Sequence, residues 1–448
     1  KKRMKKLYIE TYGCQMNVND SEVILSILSK AGYERTEEMS EADLILANTC
    51  SIRENAEQRV FGRIDVFRLE KKKRPEVLIG IVGCMAERLK DKLLDGRIVD
   101  LVAGPDSYRR LPEMVAAVNP GNPQIDVQLS RTETYDDIVP LRLDRNGVSA
   151  YISIMRGCNN CCSYCVVPYT RGAERSRDPY TIVREAEEAF AAGYKEVNLL
   201  GQNVDSYLWK APEDCPEHCG ESVNFAQLLE KVAAISPQLR VRFSTSYPSD
   251  ITDEVLYTMA AHSNICRHIH FPVQSGSDAM LEKMRRKYDR KWYLERVARI
   301  REIVPDCGLT TDVIAGFCGE SEEDHRDTLS LFEEVGFDAA FMFQYSERPG
   351  TLAARKFEDD VPPEVKTRRL NEIIALQNRK GAENYRKMIG RRLEVLVEGP
   401  SKKTPEDLCG RAGNYMMCVW PDSVHKAGDY VQVEVVDATP ATLLCRLV

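Results

Sequence analysis

Residues 156–172 read Arg-Gly-Cys-Asn-Asn-Cys-Cys-Ser-Tyr-Cys-Val-Val-Pro-Tyr-Thr-Arg-Gly. Within this stretch Cys158, Cys162 and Cys165 form a C-x3-C-x2-C run, and Tyr164 stands directly before the last cysteine. Three thiolates on one short loop can hold three irons of a 4Fe–4S cluster, for which cysteine is the usual ligand. Because the run supplies no fourth ligand, one iron is left open to a small molecule. An open iron indicates chemistry rather than electron storage.

The run resembles the signature of the radical S-adenosylmethionine (SAM) enzymes, both in its spacing and in the aromatic residue at 164. That resemblance implies that the open iron binds SAM and that Tyr164 lies at the SAM site. The alternative is a set of structural or zinc-binding cysteines, but zinc sites usually show two paired ligand sets. Cys161 breaks the pattern, and we interpret it as a bystander.

The bulk composition is that of an ordinary globular chain. Its 448 residues are 43% hydrophobic and 29% charged, enough for about two to four domains. No apolar run reaches membrane-spanning length and no signal peptide opens the chain, so we expect a cytoplasmic protein without membrane contact. The 15 cysteines then indicate metal ligands and free thiols rather than disulfides. A net charge of −7 does not indicate a nucleic-acid partner, so any RNA binding must depend on local basic patches.

Residues 5–120 alternate predicted strands and helices, which indicates an open parallel sheet covered by helices. Three of the predicted strands are each followed by a cysteine; the strands are Leu7–Thr11, Asp43–Asn48 and Val77–Val82, and the cysteines are Cys14, Cys50 and Cys84. The loops after parallel strands gather at one edge of such a sheet. We therefore infer a second iron–sulfur cluster with three protein ligands. The alternative is coincidence, because cysteine is often simply buried.

Residues 121–148 lack a clear period and are expected to be a linker. Alternation resumes over residues 149–382, where six predicted β/α units indicate an incomplete (β/α) barrel with its active-site loops at the strand ends. Those loops carry Gln202, Ser246, Gln274 and Asp312, whose polar groups suit the ribose and adenine of SAM. A turn or a helix cap is the alternative explanation for each.

Residues 383–448 indicate a small antiparallel β-barrel. Predicted strands at 393–397, 415–419, 430–436 and 443–448 are separated by glycines and prolines, as is typical of such barrels. A long charged helix, predicted over 361–388, precedes them.

The whole chain resembles the radical SAM methylthiotransferases. The similar motifs are Tyr-Gly-Cys-Gln-Met-Asn around Cys14, Asn-Thr-Cys ending at Cys50, Gly-Cys at Cys84 and Pro-Val-Gln-Ser-Gly-Ser from residue 272. The resemblance implies a flavodoxin-like N-terminal domain, an auxiliary 4Fe–4S cluster that carries or supplies sulfur, and a C-terminal TRAM domain that binds RNA through residues such as Arg411. A monomer and a reducing electron donor of flavodoxin or ferredoxin type are expected. One departure is Cys318, where proline is usual.

The residues that end the cluster loop, Val-Val-Pro-Tyr-Thr-Arg-Gly at 166–172, resemble those of the family branch that acts on tRNA. In that branch two SAM molecules serve to insert sulfur and methyl at C2 of N6-isopentenyladenosine in the anticodon stem-loop, by a radical route. Alternatives within the family are N6-threonylcarbamoyladenosine in tRNA and an aspartate of a ribosomal protein. Alternatives outside the family are an iron–sulfur electron carrier and a non-catalytic RNA-binding module.

Basic and metal-type residues elsewhere complete the candidates. Arg171, Arg175 and Arg177 directly follow the cluster loop, so we expect them to contact RNA phosphates. Arg285-Arg286-Lys287 is more typical of a solvated face. Cys215, His218 and Cys219 could be half of a zinc site, but no partner pair is obvious.

Overall fold

The computed structural model of the chain describes residues 3–50, 54–93, 99–119, 122–143, 147–213 and 215–448, without the side chains of 54–58 and 91. Three folded units follow one another: a parallel sheet, a partial barrel and a closed barrel. None of the helices in the described ranges is long and apolar enough to cross a membrane.

The N-terminal unit is a doubly wound sheet, as predicted. Its strands are β1 (Lys5–Thr11), β2 (Tyr33–Arg35), β3 (Leu44–Thr49), β4 (Leu78–Gly83), β5 (Leu101–Ala103) and β6 (Gln124–Asp126). Its helices are α1 (Gln15–Lys30), α2 (Glu54–Lys73), α3 (Cys84–Leu89) and α4 (Leu111–Ala117). The strands pair in parallel in the order β2-β1-β3-β4-β5-β6, the flavodoxin-like order with one strand added at an edge.

The central strand β3 shows why this sequence forms a parallel sheet. All of its side chains are buried, as expected for a strand covered by helices on both faces. Leu44 and Leu46 enter the core on one side of the sheet, whereas Ile45 and Ala47 enter the core on the other side.

Much of the segment expected to be a linker packs on this sheet instead. Strand β6 pairs with β5, and the side chains of Tyr135 and Ile138 are buried in the core beneath α1. The sequence pattern missed this because β6 is only three residues long and the later buried positions are isolated.

The middle unit forms six β/α units, as predicted. Its strands are β7 (Ser149–Ser153), β8 (Met155–Arg156), β9 (Arg175–Ser176), β10 (Glu196–Leu200), β11 (Leu208–Lys210), β12 (Ser222–Asn224), β13 (Arg240–Ser244), β14 (His268–His270), β15 (Gly308–Ala315) and β16 (Ala339–Gln344). Its helices are α5 (Val167–Arg171), α6 (Pro179–Ala191), α7 (Phe225–Ala233), α8 (Asp253–Ala261), α9 (Asp278–Lys283), α10 (Arg290–Ile303), α11 (Glu322–Val335), α12 (Leu352–Lys356) and α13 (Pro363–Arg386).

The wall of the barrel consists of two parallel three-stranded sheets, β7-β10-β13 and β14-β15-β16. They are joined where the backbone N–H of Cys266 donates to the carbonyl of Val241. The N-terminal unit covers the outer edge of this wall, because α1 packs against β7.

The C-terminal unit is the expected closed barrel. Its strands are β17 (Arg392–Pro400), β18 (Asp407–Ala412), β19 (Met417–Pro421), β20 (Tyr430–Ala438) and β21 (Leu443–Leu447), in the order β17-β18-β19-β21-β20. The end of β18 and the turn after it contact strand β13 of the middle unit near its N-terminal end. Arg240 and Arg242 of β13 donate to the backbone carbonyls of Arg411 and Ala412 at 2.7 and 2.8 Å, respectively.

Candidate metal centres and substrate cavity

The three N-terminal cysteines lie at the carboxyl edge of three neighbouring strands. Cys14 caps α1 after β1, Cys50 follows β3, and Cys84 opens α3 after β4. Gly13 has a φ of +136°, and a Cβ built on it would lie 2.6 Å from the Cβ of Cys50. Only glycine therefore lets the Cys14 loop come this close to Cys50. The structure brings these residues to one edge, as the sequence predicted.

The second cysteine set lies in the loop after β8. Gly157 has a φ of +77°, and a Cβ there would meet the carbonyl oxygen of Ala173 at 2.1 Å, so glycine is required directly before Cys158. Burial raises the pKa of both Cys158 and Cys165 to about 12. The protein alone thus keeps these thiols neutral, and a nearby metal cation is what would make them thiolates.

Arg286 is a functional candidate that the sequence pattern assigned to a solvated charge run. Its Nη1 donates to Cys162 Sγ at 3.3 Å and lies 3.5 Å from the hydroxyl of Tyr164. The guanidinium carbon stands 4.2 Å from the ring centroid of Tyr247. Tyr164 in turn packs edge-on against Phe317. A local charge pattern could not show that this arginine turns inward.

One short helix joins the two cysteine sets. Helix α5 begins two residues after Cys165 and ends at Arg171; its five residues rise about 7.5 Å. It packs against α3, whose first residue is Cys84. Arg171 Nε donates to Cys84 Sγ at 3.2 Å. The two sets therefore lie at opposite ends of one helix, at the boundary between two domains.

The three arginines after the cluster loop are not placed for RNA. Arg171, Arg175 and Arg177 are only 3%, 6% and 5% exposed. Each is paired with a carboxylate, namely Asp20, Asp106 and Glu185 respectively. Asp20 and Asp106 belong to the N-terminal domain, so two of these arginines hold that domain against the barrel. Buried and paired guanidinium groups are closed to phosphates, so the structure does not support the predicted RNA contact of these three arginines.

Of the five residues expected at the SAM site, Tyr164 lies in the cluster loop, Gln202, Ser246 and Gln274 follow barrel strands, and Asp312 lies within β15. Gln202 Oε1 is buried without a hydrogen-bond partner among the described residues, which is rare in folded proteins and suits a ligand site. Gln274 has a φ of +71°, a strained backbone of the kind that clusters at functional sites. Asp312 is already engaged, because its carboxylate lies 3.3 Å from His270 Nε2.

Asp205 belongs to the same region and was missed from the sequence. Both of its carboxylate oxygens are buried, and none of the described groups gives them a hydrogen bond of ordinary geometry. The Ser246 hydroxyl interacts with this carboxylate and lowers its pKa, but burial outweighs that effect and raises the pKa to about 7. It lies in a short turn, Val204–Ser206, where an aspartate is unremarkable in sequence. In the sequence, the one indication that Asp205 belongs to this site is its position three residues after Gln202.

A cavity of about 330 Å³ connects all three domains. Cys14 and Met16 line it from the first domain, Leu200 and Phe341 from the barrel, and Tyr415 from the C-terminal domain. Phe341 is 50% exposed. The lining also carries polar groups, among them Asn198, Arg242 and His270. The cavity thus places an apolar, aromatic surface next to polar side chains and a cysteine of the first set.

Tyr415 forms the floor of this cavity. Its φ is +76°, and its ring stacks on His268 with the centroids 4.6 Å apart. Burial, with a contribution from Arg242, holds the pKa of His268 well below its usual range, so this imidazole is neutral. Arg411, predicted to contact RNA, packs over the Tyr415 ring and donates to Glu398 at 2.9 Å; its charge is already partnered.

Among the described residues, no three His, Cys, Asp or Glu side chains converge as they would on a single metal ion. This holds for Cys215, His218 and Cys219; His218 instead stacks on Tyr180 and contacts Glu221. It holds for the two cysteine triads as well. A 4Fe–4S cluster asks for something different, because each thiolate binds its own iron. Sets of three soft sulfur donors on loops fit that requirement.

Comparison with known proteins follows the three domains. The chain matches Uncharacterized protein family UPF0004 at residues 6–104, the Radical SAM superfamily at 152–332 and the TRAM domain at 386–448. The tRNA-2-methylthio-N(6)-dimethylallyladenosine synthase of Bacteroides thetaiotaomicron is 55% identical over 439 residues, covering 98% of this chain and 95% of the relative. The synthase of Amoebophilus asiaticus is 56% identical, covering 98% and 91%. The chain belongs to this synthase family.

Solved structures that share the fold include TsrM and OxsB. TsrM from Kitasatospora setae, a radical SAM methyltransferase, has a TM-score of 0.56 at 15% identity, covering 78% of this chain and 75% of its own. The cobalamin-dependent enzyme OxsB has a TM-score of 0.52 at 12% identity, covering 84% and 56%. Membership of the radical SAM superfamily implies one 4Fe–4S cluster and SAM. In this member of the synthase family, Cys158, Cys162 and Cys165 fit that cluster.

Proposed function

We propose that this chain is a tRNA methylthiotransferase that inserts sulfur and a methyl group at C2 of N6-isopentenyladenosine beside the anticodon. The observation that carries the proposal is the arrangement of the two cysteine sets, which lie at the ends of helix α5 with Cys14 exposed to a shared cavity. An electron carrier needs neither an open iron nor a cavity of this kind. The names of the relatives support the tRNA substrate.

Six cysteines are proposed to hold two clusters. Cys158, Cys162 and Cys165 hold one, and Cys14, Cys50 and Cys84 hold a second, auxiliary cluster. When bound, these clusters and SAM supply the radical and the sulfur for the transfer. The protein contributes orientation and exclusion of water. Because Cys50 and Cys84 are buried and Cys14 is exposed, the auxiliary site opens toward the substrate on the Cys14 side.

The residues at the barrel mouth are proposed to bind SAM. Gln202 presents a buried polar atom without a partner among the described residues, and Asp205 and Ser246 form a buried polar pair whose bonding capacity is not filled. SAM carries ammonium, ribose and adenine groups that would satisfy them. Tyr164 lies in the cluster loop and Gln274 at a strained strand end. Asp312 is the least direct candidate because His270 already contacts it.

The cavity is proposed to receive the target base. A base in an RNA loop can be splayed from its stack and placed against aromatic side chains. Phe341 and Tyr415 supply such surfaces, and with Met16 and Leu200 they offer apolar contact to an isopentenyl group. The name of the relatives, which specifies dimethylallyladenosine, favours that group over threonylcarbamoyl. The TRAM domain supplies the RNA contact, with Arg411 beside the cavity floor. We further propose a monomer that takes electrons from a flavodoxin- or ferredoxin-type donor.

The test is anaerobic reconstitution with iron and sulfide, followed by SAM, dithionite and an anticodon stem-loop carrying N6-isopentenyladenosine. Nucleosides and 5′-deoxyadenosine are measured by mass spectrometry. Methylthio product should form with the wild type and disappear in Cys158→Ala and in Cys50→Ala. The matched control is Cys161→Ala, because that exposed thiol contacts only the carbonyl of Asn159, and product should persist.

Two other results would change the proposal. Deoxyadenosine without modified RNA, together with product from a threonylcarbamoyl stem-loop or a ribosomal protein, would reassign the substrate. Neither product from a protein with both clusters would refute the methylthiotransferase activity itself.

A further inference from the structure

Arg171 has one guanidinium nitrogen that its salt bridge and its thiol contact do not use. Its Nη2 donates to Asp20 at 2.8 Å and its Nε donates to Cys84 Sγ at 3.2 Å. Its Nη1 is buried and has no hydrogen-bond partner among the described residues. A fully buried guanidinium N–H without an acceptor is costly and uncommon. This donor therefore indicates an acceptor that binds at the site.

The charge balance at Arg171 points the same way. Asp20, which is fully buried, is shared by two guanidinium groups, because Arg156 donates to its other oxygen at 2.9 Å. Asp106 lies 3.7 Å from Arg156 but also pairs with Arg175 at 2.9 Å, so these three buried guanidinium groups share two carboxylates. Excess positive charge and an N–H without an acceptor thus lie beside Cys84.

Arg156 shows what a purely structural arginine looks like at the same boundary. It is 2% exposed, donates to Asp20 and to the carbonyl of Pro105, and stacks over Tyr135. Its remaining nitrogen, Nε, also lacks a hydrogen-bond partner among the described residues, and the nearby carboxylate of Asp106 is 3.7 Å away. Both arginines therefore share the Asp20 contact and one unused donor. Arg171 differs in its contact with Cys84 Sγ, which places its unused donor beside a cysteine of the first set.

We propose that Arg171 is a positioning residue for the auxiliary cluster. Its Nε donates to the Cys84 ligand, and its Nη1 donates to a sulfur atom that the cluster presents for transfer. The inference rests on the proposed auxiliary cluster, and it goes beyond it by assigning the group that holds the transferable sulfur. Because Arg171 ends the helix that starts at the other cysteine set, it also fixes the direction in which that sulfur is presented.

The proposal predicts a change in redox behaviour. Hydrogen bonds and positive charge at the sulfurs stabilise the reduced, more negative cluster and raise its reduction potential. Arg171→Gln should therefore lower the equilibrium constant for reduction of the auxiliary cluster about tenfold, or about 59 mV for a one-electron couple. Arg171→Lys keeps the charge but not the planar fork, so it should lower the potential less and still alter the spectrum.

The experiment uses the full chain with Cys158, Cys162 and Cys165 replaced by alanine, so that any iron–sulfur signal comes from the auxiliary site. Redox titration followed by electron paramagnetic resonance gives the potential and the spectrum. The matched control is Arg156→Gln, which removes a buried guanidinium from the same carboxylate of Asp20 without touching a cysteine. A clearly larger shift in Arg171→Gln than in Arg156→Gln supports the proposal.

Equal shifts in the two variants, or an unchanged potential in Arg171→Gln, would overturn it. If the glutamine variants do not fold, Arg171→Lys against Arg156→Lys is read in the same way, since both keep the positive charge. Absence of any cluster in the parent protein would instead refute the auxiliary cluster, and so the sulfur source of the proposed function. The two failures are thus distinguishable by iron content alone.

Discussion

Asp20 provides the sharpest test of how the two large domains are held together. Its carboxylate is fully buried and accepts hydrogen bonds from Arg156 at 2.9 Å, Arg171 at 2.8 Å and the hydroxyl of Tyr108 at 3.3 Å. Burial alone would raise its pKa, but the two guanidinium groups outweigh burial and hold the pKa below its usual range. Asp20→Asn keeps the shape but leaves Arg171 without its carboxylate partner and Arg156 with only the carboxylate of Asp106 at 3.7 Å. Removing one partner from a buried pair costs about 3–5 kcal/mol.

The chain offers a domain-specific readout for this variant. All of its three tryptophans, Trp209, Trp292 and Trp420, lie beyond the N-terminal domain. Tryptophan fluorescence therefore follows the barrel and the C-terminal domain, whereas circular dichroism follows the whole chain. In urea, Asp20→Asn should unfold the N-terminal domain earlier by circular dichroism, with little change in the fluorescence transition.

The control for Asp20→Asn is Asp137→Asn, whose carboxylate pairs with Arg109 but is 67% exposed. Such a surface pair is worth about 0–1 kcal/mol. The effect also depends on pH in a defined direction. Because the pKa of Asp20 is lower in the folded chain than its value of about 4 in the unfolded chain, the ionised carboxylate stabilises the folded protein above about pH 4. This stabilisation is lost as the pH falls through the folded-state pKa. The difference between wild type and Asp20→Asn should therefore shrink in acid. A destabilisation no larger than that of Asp137→Asn would refute the account of the interface.

Three further outcomes follow from particular side chains. Asp205→Asn should stabilise the cluster-free protein increasingly as the pH rises from about 4 to about 7, by up to about 4 kcal/mol, because the raised pKa of about 7 makes ionisation of the wild-type carboxyl unfavourable in the folded state. Urea unfolding midpoints measured across this pH range test the prediction, and a difference that does not change with pH would contradict it. Gly157→Ala should reduce iron at the Cys158 site, since the added Cβ meets the Ala173 carbonyl at 2.1 Å, whereas Gly193→Ala, also at positive φ but with no atom within 4 Å, should keep full iron content. Tyr415→Ala should leave the iron content unchanged but lower kcat/KM for the stem-loop by an amount equivalent to about 1–3 kcal/mol, the usual contribution of an aromatic side chain that stacks on a base. The control is Tyr257→Ala at an exposed tyrosine. Equal kcat/KM values for the two variants would exclude Tyr415 from the substrate surface.

The parts of the fold that follow from local pattern were predictable. Strand β3 is apolar through most of its length, and helix α6 begins where Asp178 accepts from the backbone N–H of Tyr180 and Thr181. Parallel strands share a direction, so the positions of Cys14, Cys50 and Cys84 after their strands placed them at one edge. These inferences need only periodicity, caps and the geometry of a sheet.

The missed features depend on contacts between distant segments. Arg171 and Arg286 are cations in the sequence, but whether a cation faces water or a thiol is decided by a partner far along the chain. Tyr415 is an ordinary strand-type residue until His268 is found beneath its ring. Asp205 stands out because its carboxylate is buried with only the Ser246 hydroxyl as a described hydrogen-bonding neighbour, and this burial raises its pKa. Local sequence does not encode burial of an individual polar side chain.

The closed boundary at helix α5 has a consequence for how the protein matures. Cys50 and Cys84 are only 2% and 4% exposed, and Arg171 lies directly over Cys84. Once the domains have docked, that face of the first cysteine set is sealed. If these cysteines hold the proposed auxiliary cluster, iron and sulfide cannot reach it through the docked boundary and must enter on the exposed Cys14 side. Reconstitution of the folded chain at this site should therefore depend on access past Cys14.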